Sequence, residues 1–338
     1  MRKLPTRRTW LLGAAGTVLA SGASAQGRLP IAIGYQEAPD WLLFVARDRG
    51  LFERAGLAPN FIRYVGGTAM IEAAQMGTID IASVGSVAFL VGLSMGLDWT
   101  MIGINPEGAY SQGLVARRDS GIETPRNLRG KRVAYLRGST AQFGLMMLLR
   151  QHGLRPDQLS LIDMIPSDQL RAMQARQIDA AMIWEPWMHR MRYTANGRVV
   201  ETEGNLGIYT NVEAYSARRQ WLATHRETAM RFLRALVMAN DLVQKDPKIA
   251  ISLWARDVGI SETWAEEIYE GVPPPLIHEW TNPRYTYSLV KGSSLQRRLG
   301  YVASFLYDEK VIQQQVHLAD AMDPSYITAV LKGRPVPR

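Results

Sequence analysis

The sequence predicts an α/β fold of two similar lobes, and an internal repeat is the first sign of it. Ala74-Gln75-Met76-Gly77-Thr78-Ile79-Asp80-Ile81-Ala82-Ser83 returns as Gln174-Ala175-Arg176-Gln177-Ile178-Asp179-Ala180-Ala181-Met182-Ile183. Each copy reads as a helix end, an Ile-Asp step and a short apolar strand running into a polar loop. The second sign lies upstream of each copy. Gly27 to Gly34 and Gly130 to Leu136 each open a buried strand, followed by a helical stretch that closes on Gly50-Leu51 or Gly153-Leu154. A cleft between two such lobes suits a small ligand, because loops at the carboxyl ends of parallel strands converge there with helix amino termini behind them.

The elements follow in order. Arg2, Lys3, Arg7 and Arg8 precede an apolar run from Trp10 to Ala20, and Ala23-Ser24-Ala25 offers small residues for cleavage before Gln26. Residues 1–25 therefore read as a signal peptide that is cut after Ala25, leaving a periplasmic chain. Thr6-Arg7-Arg8-Thr9-Trp10-Leu11 fits a twin-arginine signal or an ordinary secretory one, and the apolar run is too short to span a bilayer. The mature chain then alternates strand Ile31 to Gly34, helix Trp41 to Arg49, strand Asn60 to Val65, the Gly66-Gly67-Thr68 turn, helix Ala69 to Met76, the first Ile-Asp strand and a helix starting at Gly85-Ser86. Strands Trp99 to Ile104 and Gly113 to Ala116 complete the first pass.

Thr124-Pro125 and Leu128-Arg129-Gly130-Lys131 mark entry to the second lobe. There the Ser139/Gln142 spacing is that of a capping box, opening a helix from Phe143 to His152. Strand Ser160 to Met164, a Ser167-capped helix and strand Ala180 to Trp184 follow. The chain crosses back around Ile208 to Tyr215 and then becomes helical, clearest at Thr228 to Gln244, Ser261 to Tyr269 and Ser294 to Tyr307. The expected division is 26–116 with 215–338 as the first lobe, carrying the C-terminal helices, and 117–214 as the second.

Composition narrows the function. The net charge is +8, but the signal holds four cations and no anion, so the mature chain carries about +4. The remaining Lys and Arg are dispersed, which argues against a nucleic-acid partner. The absence of cysteine excludes disulfides, thiol catalysis and a lipid-modified cysteine anchor. The 47% hydrophobic and 9% aromatic content is that of a globular protein with a sizeable core. His152, His189, His225, His278 and His317 lie far apart, with no metal-ligand spacing, Gly-x-Ser-x-Gly elbow or phosphate-binding loop. No enzyme chemistry, metal, cofactor or fused signalling domain is expected.

The loops suggest the ligand. Gly85-Ser86 and Ser139-Thr140 stand at equivalent strand-to-helix transitions, where unpaired N–H groups and the helix dipole favour an anion; alternatively each serine caps its own helix. After the second Ile-Asp strand, Trp184-Glu185-Pro186-Trp187 sets an aromatic plane beside a carboxylate. Glu185 either meets a ligand's donor group or forms an interlobe salt bridge, and Trp187 is placed in the core. Gln36, Asp40 and Trp41 are similar candidates, with Asp40 alternatively capping the Trp41 helix.

Across the mature chain these residues resemble the periplasmic substrate-binding proteins of ABC importers for taurine, alkanesulfonates and nitrate. The specific pieces, in order, are Gly34-Tyr35-Gln36, Gly77-Thr78-Ile79-Asp80-Ile81 with Val84-Gly85-Ser86, Leu114-Val115-Ala116-Arg117, Leu128 to Ala134, Ser139-Thr140, and Ile178-Asp179-Ala180-Ala181 with Trp184-Glu185-Pro186. The resemblance, closest to the taurine-like branch, implies a type II periplasmic-binding fold of two α/β lobes with two hinge crossovers, closing on the ligand. It implies a small anionic organic ligand, a sulfonate held by Gly85, Ser86, Ser139 and Thr140, and delivery to an inner-membrane ABC permease by a monomer. Gln112 and Gln142 depart from the acidic residue and histidine of taurine binders, and Gly271 to Trp280, with Pro273-Pro274-Pro275, departs too. The expected ligand-binding set is Gln36, Asp40, Trp41, Thr68, Gly85, Ser86, Gln112, Ser139, Thr140, Gln142, Trp184 and Glu185, with the carbon chain packed on Trp41 and Trp184. Nitrate, bicarbonate or a thiamine pyrimidine precursor on the same fold is the alternative.

Overall fold

The structure, a computed structural model, describes residues 27–208 and 212–332. The expected signal peptide and its cut after Ala25 lie outside the described residues. The first lobe opens with β1 (Leu29–Gln36), α1 (Trp41–Asp48), α2 (Leu51–Arg54), β2 (Leu57–Tyr64), α3 (Gly67–Gln75), β3 (Ile81–Gly85), α4 (Ser86–Ser94) and β4 (Trp99–Glu107). The second lobe holds β5 (Gln112–Arg117), β6 (Arg132–Tyr135), α5 (Thr140–Gln151), β7 (Ser160–Asp163), α6 (Pro166–Gln174), β8 (Ala180–Trp184), α7 (Trp187–Thr194) and β9 (Gly197–Thr202). The chain returns through β10 (Val212–Arg218) and ends in α8 (Arg219–Thr224), α9 (Arg226–Lys245), α10 (Lys248–Val258), α11 (Glu262–Gly271), α12 (Ser294–Asp308) and α13 (Ser325–Leu331).

Each lobe is a five-stranded sheet, ordered β2-β1-β3-β10-β4 in the first and β7-β6-β8-β5-β9 in the second. β1 runs parallel to β2 and β3, as β6 does to β7 and β8. The fourth strand of each sheet, β10 or β5, is antiparallel to both neighbours and arrives from the other lobe. β5 therefore belongs to the second sheet, and the first crossing precedes Gln112 instead of falling at the expected 116/117 boundary.

The repeated Ile-Asp step has a structural role. Asp80 accepts from the Ala32 N–H at 2.8 Å and donates its own N–H to the Ala32 carbonyl at 2.8 Å. Asp179 does the same with Arg132 of β6, at 2.9 Å each way. A side chain that mimics a ladder partner closes off each strand where the preceding turn leaves a backbone donor unpaired. The turn before it is left-handed in both lobes, at Gly77 (φ +72°) and at Arg176 (φ +58°).

In α1, Leu42, Phe44 and Val45 are fully buried, and Asp40 caps the helix by accepting from the Leu43 N–H at 3.2 Å. The expected Ser167 cap is not formed: α6 starts at Pro166, whose missing N–H suits a first-turn position, and it has no side-chain cap. The C-terminal helices cover the first lobe, with α9 packed on α1 and α2, α10 on α1, and α13 on α9 and β4. α12 reaches the second lobe as well, Phe305 standing edge-on to Phe143 of α5 at 5.2 Å. Among the described residues no helix is long and apolar enough to cross a membrane.

Candidate functional site

The carboxyl ends of β1, β3, β6 and β8 and the starts of β5 and β10 meet at one edge, because an antiparallel strand begins where its parallel neighbours end. Register puts Gln112 opposite Trp184 and Glu213 opposite Gly85 at that edge. The cavity there is lined by Ala38, Pro39, Gly108, Ser111, Gln112, Thr140, Trp184, Val212, Glu213 and Val272. Its empty space, with the open solvent at its mouth included, is about 350 Å³.

Two uncapped helices face this space. α4 begins at Ser86 and α5 at Thr140, and neither has a side-chain cap, so first-turn N–H groups are left to the cleft. The lobes touch here: a Cβ on Gly85 would lie 3.2 Å from the Thr140 methyl, and one on Gly138 would lie 2.8 Å from the Thr68 methyl. Any larger residue at 85 or 138 would prop the cleft open. The Thr140 hydroxyl accepts from the Gln112 amide at 2.8 Å, which leaves its own proton for a cavity partner. The Ser86 hydroxyl and Gln112 Oε1 are buried without hydrogen-bond partners.

Opposite stands an acidic cluster. Glu213 accepts from Gln36 Nε2 at 2.8 Å and from Asn105 Nδ2 at 3.0 Å. Asn105 also donates to Ser83 at 3.1 Å, and Ser83 donates to Asp40 at 2.8 Å. The Tyr215 hydroxyl completes the chain on Asp40. No Lys or Arg pairs with either carboxylate among the described residues. Burial pushes Asp40 up to about 6 despite its hydrogen bonds. Burial, and then the charge on Asp40, pushes Glu213 up to about 8. Glu213 is partly exposed, toward the cavity that it lines.

Other expected residues sit elsewhere. Trp41 is fully buried in the first-lobe core, its Nε1–H donating to the Val272 carbonyl at 2.6 Å and its ring against Trp254 and Tyr269; an indole so enclosed offers no face to a ligand. Glu185 is turned away to His189, accepting from its backbone N–H at 3.1 Å and meeting Nδ1 at 2.8 Å. His189 Nε2 reaches Glu267 of the first lobe at 3.1 Å, so the interlobe bridge forms one residue removed from Glu185. The capping box at α5 is shifted: Gln142 accepts from the Gly138 N–H at 2.7 Å, and Ser139 donates to the Leu136 carbonyl at 2.7 Å instead of capping. Trp187 is only partly buried. Gln112, Thr140 and Trp184 line the cavity, Gly85 lies against Thr140 and Thr68 against Gly138, Gln36 donates to Glu213, and Asp40 is joined to Glu213 through Ser83 and Asn105.

Sequence reasoning missed Glu213. The signal was a lone carboxylate at the head of the apolar strand Val212 to Ala217, in the segment read only as a crossing. It missed Val272 as well, although that residue lies in the segment marked as departing from the resembling family.

The NMT1/THI5-like family model ("NMT1: NMT1/THI5 like") matches residues 41–250, more than half of the chain. The chain belongs to the NMT1/THI5-like family. A Bacillus subtilis (strain 168) relative, a candidate aliphatic sulfonates-binding protein by name, is 23% identical over 327 residues, covering 96% of this chain and 94% of its own. This NMT1/THI5-like chain also superposes on the alkanesulfonate-binding protein SsuA from Xanthomonas axonopodis pv. citri bound to MOPS, with TM-score 0.76, 22% identity and coverage of 88% and 99%. The desulfurization enzyme DSZB shares the fold at TM-score 0.65 and 16% identity, covering 90% and 99%. The fold thus serves receptors and an enzyme alike, and the site has to separate them.

Proposed function

We propose that this chain is an exported receptor that captures a small organosulfonate between its lobes and delivers it to an ABC permease. The observation that carries the reading is one cavity with unlike sides. On one side are the first turns of α4 and α5 with the Thr140 hydroxyl, a set of donors suited to a desolvated anion without a countercharge. On the other, Glu213 and Gln112 Oε1 are acceptors suited to a protonated amine. Trp184 and Val272 supply apolar wall for the carbons between. Taurine carries both polar groups, and MOPS, the ligand of the SsuA neighbour, is likewise a sulfonate with an amine.

The reading includes cleavage after Ala25, a monomer in the periplasm and no catalysis. Among the described lining residues Glu213 is the one ionisable side chain, and the reading assigns it to a ligand's amine instead of to proton abstraction from a hydroxyl. A thermal-shift comparison of the chain with taurine, ethanesulfonate, nitrate, bicarbonate and a pyrimidine tests it. A sulfonate at a hundredfold excess over its dissociation constant should stabilise the fold by ~2.7 kcal/mol, and at equal concentrations taurine should stabilise it more than ethanesulfonate. A response to nitrate, bicarbonate or the pyrimidine, with none to either sulfonate, rejects the ligand assignment.

A further inference from the structure

Arg190 of α7 carries its guanidinium out of the second lobe into a socket formed by the first. Its Nη1 donates to the Glu37 carboxylate at 2.6 Å. Its Nη2 donates to the Val258 carbonyl, at the end of α10, where a helix leaves carbonyls without an internal partner. One acceptor is a full negative charge and the other the negative end of a helix dipole, and the planar fork of an arginine serves both together. Each half is supported within its own lobe. The guanidinium lies 4.3 Å from the ring centroid of Trp187, one turn earlier on α7, while Glu37 is paired with Arg63 at 2.9 Å and Arg63 also meets Asp257. The contact stands beside the cavity. Glu37 accepts the Trp184 Nε1–H on its backbone carbonyl at 3.1 Å, so this one residue of the β1–α1 loop meets the second lobe twice. The next two residues, Ala38 and Pro39, line the cavity, as Trp184 does, whereas Arg190 does not. The Arg190 and Glu37 side chains are 16% and 21% exposed, so the pair is screened less than one in open solvent.

We infer that Arg190 is a positioning residue for ligand capture, a latch that holds α7 on the β1–α1 loop and on the end of α10 once the lobes have closed. The inference rests on the receptor reading and adds to it a residue that acts through Glu37 without touching the ligand. Opening the cleft takes the guanidinium away from both acceptors while Glu37 keeps Arg63, so these cross-lobe contacts belong to the closed form alone. They slow opening and leave entry into the open form unaffected. Because the latch meets only protein atoms, it lengthens the residence of every ligand by the same factor. Glu213, by contrast, separates amine-bearing ligands from the rest.

The test is stopped-flow kinetics of taurine and ethanesulfonate on the wild-type chain, Arg190→Met, Glu37→Gln and the double variant. Methionine keeps an apolar stem over Trp187 and glutamine keeps the shape of Glu37, so neither change opens a void. Arg190→Met should speed dissociation of both ligands about tenfold and keep association within about twofold of wild type. Glu37→Gln should speed it less, because the Val258 carbonyl remains, and the double variant should dissociate no faster than Arg190→Met alone. Unchanged dissociation, factors that differ between the two ligands, or single effects that multiply in the double variant overturn the latch and leave the receptor reading standing. No binding of either ligand by the wild-type chain overturns the receptor reading and the latch together.

Discussion

Two groups of buried or half-buried charges lie near the cleft, and they are built on opposite principles. At the rim, Glu185, His189 and Glu267 alternate in sign, and Arg192 stands 3.7 Å from Glu267. Nearby, Tyr193 stacks on Trp264 at 4.5 Å. At the cavity, Asp40 and Glu213 share hydroxyl and amide partners but no cation. A matched group holds two surfaces together and asks for nothing further. An unmatched carboxylate facing a cavity costs free energy in the empty protein, a cost that a cationic ligand removes. The difference makes Glu213, in place of Glu185, the carboxylate that the proposed site would offer a ligand.

Breaking the unmatched group should have the largest effect. Glu213→Gln is expected to weaken taurine binding by about a hundredfold and to leave ethanesulfonate within about threefold. Gln36 Oε1 and Asn105 Oδ1 are buried without donors, so rotation of either amide accommodates the new NH₂ group. The pH dependence has a defined sign. Between 4.5 and about 8 the folded empty protein keeps a proton on Glu213 that the unfolded chain has released, so stability falls as pH rises through this window. Amine binding wants the ionised form and should strengthen from pH 6 to 8, whereas ethanesulfonate, an anion without an amine, should weaken. Calorimetry at three pH values on both chains checks this; parallel slopes for the two ligands would place the amine elsewhere.

The sequence carried the two-lobe plan because the plan rests on local signals, namely the apolar strands, the glycine turns and the Ile-Asp steps that clamp β3 and β8 to their neighbours. It carried the facing of Gly85 and Thr140 for the same reason, since equivalent strand-to-helix turns must meet at equivalent edges. What it could not carry was the antiparallel fourth strand of each sheet. β5 and β10 cross between lobes, so their partners lie far away in the chain, and Gln112 and Glu213 gain their meaning only from that pairing. Glu185 misled because its partner sits one helical turn on, at His189, where a carboxylate beside two tryptophans reads equally well as a ligand contact.

On the donor side the expected effect is smaller and blind to the amine. Thr140→Val should weaken taurine and ethanesulfonate alike, by about 1 kcal/mol each, through loss of one hydroxyl donor. It also strands the Gln112 amide, so a modest drop in melting temperature accompanies it. Thr140→Ser restores the hydroxyl and should restore affinity. Because serine lacks the methyl that meets Gly85, failure of that rescue would show that the methyl contact between the lobes counts as much as the hydroxyl.

The matched group at the rim should give the smallest change, opposite in pH direction to the effect of Glu213 on taurine. Burial alone would lower His189, but Glu185 and Glu267 outweigh it and hold the imidazole above its ordinary value. Protonated His189 therefore stabilises the closed form below pH 6.5, and the contribution is lost as pH rises through the raised folded-state value. The other groups facing it are Glu185 on its own helix side and Glu267, Arg192 and the Tyr193 hydroxyl around it. His189→Gln keeps a polar side chain at the rim and should lower ethanesulfonate affinity by about threefold at pH 6, a small effect because the cross-lobe partner Glu267 is half-exposed, and by less at pH 8.5, where the imidazole has lost its charge. Glu213 and His189 both weaken ethanesulfonate binding as pH rises, but they oppose each other for taurine. The double variant with Glu213→Gln should therefore bind ethanesulfonate with only the pH slope that Asp40, pushed up to about 6, contributes, and a slope that continues to pH 8.5 would reveal a further titrating group coupled to closure.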